Sequence, residues 1–204
     1  MKVLLINGSP NKNGCTNRAL EEIVSVLKLN DVKSEIFHIG KNPIQGCIAC
    51  RKCGSTGRCV FNDDLYNNLF EKVKEADGII IGSPVYYAGP NGSLCAILDR
   101  LFYSASYLMS KKPAAAIVSC RRGGASATFD RLNKYFTINQ MPVITSQYWN
   151  SVHGNSPEDV EKDLEGLYVM RTLANNMIWM LKTIRDSSHL EIDNGERIFT
   201  NFIR

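Results

Sequence analysis

The sequence predicts a doubly wound α/β fold, a five-stranded parallel sheet with helices on both faces, and three observations carry this expectation. Short, continuously apolar runs recur along the chain, as strands buried on both faces require. Each run is followed by a stretch whose apolar residues return at helical spacing. The junctions between them are rich in Gly, Ser, Pro and Asn, which stop a strand and open a helix. With 204 residues, 44% of them apolar and 22% charged, the chain has the composition of one domain that buries its own core.

The elements follow in order. Val3, Leu4, Leu5 and Ile6 form the first strand. Leu20, Ile23, Val24 and Leu27 recur at helical spacing, which starts a helix near Thr16. Residues 32–39 read as the second strand. Leu65, Leu69, Val73 and Ala76 mark a helix capped by Asp63 or Asp64. Residues 78–81 are the third strand, and Leu94, Ile97, Leu98 and Leu101 the helix after it. Residues 114–118 are the fourth strand, followed by a helix through Phe129, Leu132 and Phe136. Residues 143–145, after Pro142, read as a short fifth strand. Ser156, Pro157 and Asp159 start a last helix that reaches about Leu181. Five strands with these connections suit the flavodoxin-like order 2-1-3-4-5. The whole chain, 1–204, reads as a single domain with a Cys-rich insertion at about 40–62 and a tail at about 185–204.

Composition excludes other classes. A net charge of +4 with scattered basic residues does not form the stripe that nucleic acid requires. No run has membrane-spanning length, and the N-terminal apolar run is too short for a signal peptide. The expected setting is therefore the reducing cytoplasm, where the 7 cysteines are poor candidates for structural disulfides.

In such sheets ligands bind beyond the carboxyl ends of the strands, where the strand order reverses. The loop after the first strand runs from Gly8 to Asn17. It leads into a helix N-terminus, whose free amides and dipole favour a phosphate. Ser9 and Thr16 bring hydroxyl donors, and Gly8 and Gly14 allow close backbone approach. It is neither a Walker loop nor a dinucleotide fingerprint; a monophosphate cradle and an ordinary turn capped by Thr16 both stand. After the third strand, Pro84, Val85, Tyr86, Tyr87 and Gly89 offer aromatic cover for a planar ring. After the fourth, Ser119 is followed by Arg121, Arg122, Gly123 and Gly124, where an arginine can stabilise charge on a reduced ring. Loop packing and a solvated turn are the plain alternatives for these two segments.

Gly8-Ser9-Pro10 with Thr16-Asn17, Gly82-Ser83-Pro84-Val85-Tyr86 and Asp99-Arg100 together resemble the NAD(P)H-dependent FMN reductase family over roughly residues 1–185. The resemblance implies a flavodoxin-like fold, bound FMN and a homo-oligomer, either dimer or tetramer. It implies that Ser9, Asn11, Thr16 and Asn17 hold the phosphate. Pro84, Val85, Tyr86, Tyr87, Gly89 and the segment 119–124, with Ser119, Arg121, Gly123 and Gly124, would line the flavin. Asp99-Arg100 would be structural or interfacial. The apolar tail residues Phe199, Phe202 and Ile203 are a second motive for expecting assembly.

The connection after the second strand is long for an α/β loop and holds Cys47, Cys50, Cys53 and Cys59, a C-x2-C-x2-C-x5-C array. Zinc sites favour two separated pairs, whereas overlapping C-x2-C-x2-C suits a cubane with outward-facing corners. A loop carrying free thiols, or a labile disulfide, remains the alternative. The array resembles that of the iron–sulfur flavoproteins, a branch of the same family, which implies a [4Fe–4S] cluster on these four cysteines. The expected function is thus an FMN oxidoreductase fed by NAD(P)H. The alternatives are an electron carrier using FMN and a cluster with ferredoxin as donor, and a non-redox binding domain with structural cysteines.

Overall fold

The computed structural model describes residues 1–187 and, beyond them, 195, 196, 198 and 200. In chain order the elements are β1 (Lys2–Asn7), α1 (Cys15–Leu29), β2 (Lys33–His38), α2 (Cys53–Thr56), α3 (Asp64–Glu75), β3 (Gly78–Tyr86), β4 (Gly89–Pro90), α4 (Gly92–Ser104), β5 (Ala114–Cys120), α5 (Ala125–Ile138), β6 (Ser151–His153), α6 (Pro157–Val160) and α7 (Leu164–Asp186). The parallel strands lie in the order β2-β1-β3-β5-β6. Counted along the chain as parallel strands alone, this is the expected 2-1-3-4-5. The additional β4 pairs antiparallel with the end of β3.

Strand alternation divides the core into two layers. Leu4, Ile6, Ile79, Ile81, Ala114 and Ala116 pack under α3, α4 and α5. Val3, Leu5, Ile80, Ala115 and Ile117 face α1 and α7. All eleven are fully buried, which is why the strands read as continuous apolar runs rather than alternating ones.

Two expectations need correction. Residues 143–145 contribute only an isolated bridge, Ala114 to Val143; the fifth parallel strand is Ser151–His153, registered on Val118 to Cys120. Pro142 and the short apolar run mimic a strand, whereas β6 carries polar residues at both of its ends. The last helix also divides: α6 ends near Glu161 and α7 begins after Asp163. Asp163 caps α7 by accepting from the Gly166 amide, a new helix start. The tail residues Phe199, Phe202 and Ile203 lie outside the described residues. Among the described residues no helix is long and apolar enough to cross a membrane.

Candidate functional site

The carboxyl ends of β3 and β5 and the loops after β1, β5 and β6 converge on one cleft of about 610 Å³, a size suited to a small cofactor. Its floor is the turn from β1 into α1. The Gly8 amide donates to the Gly82 carbonyl at 2.8 Å, and Asn91 Nδ2 donates to the Gly8 carbonyl at 2.7 Å, which ties this turn to the neighbouring strand. A Cβ at Gly8 would stand 2.4 Å from Leu94 Cδ2 and 2.8 Å from the Gly82 carbonyl oxygen. Gly8→Ala is therefore expected to cost about 1–3 kcal/mol in a urea unfolding titration, the range of overpacking substitutions; a variant as stable as the parent would contradict this close approach.

Helix α1 opens at Gly14 with no side-chain cap and no acid in its first turn. Its first amides and the positive end of its dipole thus face the cleft free of a side-chain competitor, a ready anion site. Thr16 is not the cap; it lies inside the helix, and its hydroxyl bonds to that of Ser119 at 2.8 Å. Two hydroxyls joined by one bond leave one proton to donate elsewhere. Ser9 Oγ accepts from the Asn11 amide at 3.1 Å, so its proton is also free for a ligand. Ser9, Thr16 and Ser119 are all buried. Asn7 Oδ1 accepts from the Ser9 amide, while Asn7 Nδ2 donates to the Lys12 carbonyl and to Asn17 Oδ1. His38 Nε2 lies 2.8 Å from the Ser9 carbonyl. The loop is held in shape before any ligand arrives.

Of the residues singled out from sequence, Ser9, Asn11, Thr16, Pro84, Val85, Tyr86, Ser119 and Arg121 line this cleft. Five do not. Asn17 braces Asn7 and Glu21. Tyr87 and Ala88 form the tip of the β3–β4 hairpin with φ of 50° and 57°, the primed-turn conformation, and Tyr87 projects into solvent. Gly89 pairs with Tyr86 in that hairpin. Gly124, with φ of 91°, lets the hairpin sit on the loop after β5, since a Cβ there would meet Ala88 Cα at 2.8 Å. Gly123 has open space around it.

Sequence reading assigned no role to Lys12, Asn13 or Lys41, nor to the start of α6 at Asn155, Ser156 and Pro157, all of which line the cleft. Ser156 and Pro157 were legible as a helix start; their arrival beside α1 depends on β6. Cys15 and Cys120 also line it. Burial pushes both thiols up, and the acids Asp159 and Glu158 push Cys15 further. At Cys15 burial outweighs the lowering effect of the helix N-terminus.

The cysteine segment forms a second pocket. Cys47, Cys50, Cys53 and Cys59 all line it, with Ile48, Phe61 and Tyr103, and all four are free thiols. Ala49 and Arg51, on either side of Cys50, have φ of 53° and 59°. Such left-handed steps turn backbone amides inward and make anion-binding concavities. The Ala49 amide donates to Cys47 Sγ at 3.4 Å, and Arg100 Nε donates to Cys59 Sγ at 3.4 Å. Burial raises the Cys53 thiol, and Cys50, Cys47 and Cys59 push it the same way. Among the described residues no group of three or more His, Cys, Asp or Glu side chains stands close enough to hold a single metal ion.

Residues 1–156 match the family model described as NADPH-dependent FMN reductase. The chain is 31% identical over 193 residues to an iron–sulfur flavoprotein of Methanocaldococcus jannaschii, covering 91% of this chain and 100% of that one. Among solved structures, RosB with a bound riboflavin-phosphate-type intermediate superposes with a TM-score of 0.72 at 14% identity, covering 99% of this chain and 92% of that one. A flavodoxin, WrbA-like protein from Agrobacterium tumefaciens superposes with a TM-score of 0.63 at 13% identity, covering 89% and 98%.

Proposed function

Because the chain belongs to the NADPH-dependent FMN reductase family, oxidoreductases here built on the flavodoxin-like fold, we propose that it takes electrons from NAD(P)H onto FMN in the β1–β3–β5 cleft and passes them on through a [4Fe–4S] cluster in the cysteine segment. The observation that carries the flavin site is the pairing of an uncapped α1 N-terminus with buried Ser9, Thr16 and Ser119 in one cleft. FMN supplies the chemistry of hydride acceptance and electron delivery; the chain's residues bind, orient and tune it.

In this reading the amides of α1 and the hydroxyls of Ser9 and Thr16 hold the phosphate, with Asn11 and Lys12 at its edge. Pro84, Val85 and Tyr86 form one wall of the ring slot, and Ser119, Cys120 and Arg121 the other. Arg121, at the edge of the cleft, would supply positive charge to a reduced ring held there. Tyr87, at the exposed hairpin tip, is positioned to cover a ring or meet a second subunit. A homo-oligomer belongs to the same reading, supported by the half-exposed neighbours Tyr148 and Trp149, whose rings lie 5.0 Å apart.

The donor chemistry of the second pocket fits a cubane. A cluster takes one thiolate at each iron, so its sulfurs stand apart, and N–H donors to sulfur tune it. The pocket that the four thiols help to line is about 20 Å³, room for about one water. Loading therefore calls for outward movement of the exposed arm that carries Cys47 and Cys50. The same four thiols favour a second reading, in which reduced ferredoxin rather than NAD(P)H feeds the protein. Anaerobic protein mixed separately with NADH, NADPH and reduced ferredoxin, and followed at the flavin absorption band, decides between them. Rapid bleaching by a nicotinamide is the expected result; bleaching by ferredoxin alone would replace the donor assignment.

A further inference from the structure

Arg100 is a cation late in α4, on its third turn, with a side chain only 1% exposed. A guanidinium is withdrawn from water at large cost unless its donors are partnered. Here Nη2 donates to the Asp63 carboxylate and to the Phe61 carbonyl, Nη1 to the Gln45 carbonyl, and Nε to Cys59 Sγ. The plane also lies 5.0 Å from the Tyr66 ring centroid and 5.5 Å from that of Phe61.

The placement of these partners matters. Gln45 precedes the first cysteine of the array, and Cys59 and Phe61 close it. One side chain on a core helix thus ties both ends of the cysteine segment. A purely structural arginine would be satisfied by the carboxylate and the carbonyls. Here the fork also turns its Nε–H onto a sulfur.

The geometry assigns to Arg100 the role of positioning residue for the four-cysteine site: it clamps the two ends of the segment and holds a fixed positive charge against the Cys59 sulfur, which raises the reduction potential of the cluster there. This rests on the cluster reading given above. A four-thiolate cluster gains negative charge on reduction, so a cation beside one ligand favours the reduced state. A hydrogen bond to the sulfur acts in the same direction. Burial keeps water from screening the charge. Asp63 opposes this field, but its side chain is 44% exposed and its charge is screened by water.

The test is an anaerobic redox titration of wild type, Arg100→Met, Arg100→Lys and Asp63→Asn, read by electron paramagnetic resonance, with iron, sulfide and FMN content measured on each. The midpoint potential of the cluster is expected to move negative in Arg100→Met and to recover in part in Arg100→Lys, which restores the charge without the fork. It is expected to move positive in Asp63→Asn, where asparagine still caps α3. Should Arg100→Met keep its FMN but take up no iron, Asp63→Asn decides alone. A positive shift supports the assignment, and no shift overturns it. Iron-loaded wild type with the same potential in every variant overturns the role of Arg100 and leaves the cluster standing. Wild type that holds FMN but no iron overturns both.

Discussion

Replacing Ser9 and Thr16 together by alanine is expected to weaken FMN binding by roughly two to four orders of magnitude. A hydrogen bond to a charged group is worth about 1.5–3 kcal/mol, and about 1.4 kcal/mol is tenfold in affinity, so two such bonds at the additive limit give this range. Both residues are buried, and neither carries the core. The double change also removes the acceptor of the Asn11 amide and the partner of the Ser119 hydroxyl, so a urea unfolding titration of the variant separates a loss in the fold from a loss at the ligand. Quenching of free FMN fluorescence during titration of the apoprotein measures the effect. An affinity equal to wild type would remove the phosphate from this loop.

Cys50→Ser is expected to lose the iron of the anaerobic protein almost completely while retaining a full complement of FMN. Serine changes both the softness and the geometry of a ligand position built for thiolate. Cys50 lies between the left-handed residues Ala49 and Arg51 on an exposed arm, so no neighbouring cysteine takes its place without rewinding that arm. None of the four cysteines lines the flavin cleft, so the two cofactors separate in this variant. Iron and acid-labile sulfide assays alongside flavin absorbance provide the readout. Iron retained at the wild-type level would mean that the array is not the ligand set.

Much of the fold was legible because each strand is buried on both sides. The runs Val3 to Ile6, Ile79 to Ile81 and Ala114 to Val118 show no exposure worth an interruption, and continuous apolarity is their signature. β6 was not legible. It is three residues long with one buried residue, Val152, and its neighbour at 143–145 looks more like a strand. Its pairing is set by the register against β5, a long-range relation that local pattern does not carry.

The site shows the same division. Ser9, Tyr86, Ser119 and Arg121 stand at or just beyond strand ends and Thr16 in the first turn of the helix that follows β1, and the rule that ligands bind there identifies them. Tyr87 and Gly124 belong to the same motifs but serve the hairpin, because a turn tip points outward and a close backbone approach needs a missing Cβ. Lys41 and the start of α6 reach the cleft from distant parts of the chain, so their spacing carried no sign of it. Arg100 was visible as part of a motif, yet its contact with Cys59 depends on how the long segment folds back over α4.

The most direct measurement of the account is the absorption spectrum of protein purified without oxygen, with FMN, iron and sulfide determined on the same sample. One FMN per chain is expected, its bands overlaid on broad iron–sulfur absorption that fades in air, with about four iron and four sulfide per FMN. Yellow protein with full FMN, no iron and rapid NAD(P)H oxidation would contradict the cluster and leave a plain flavin reductase; colourless protein that takes up no FMN would contradict the account at its centre.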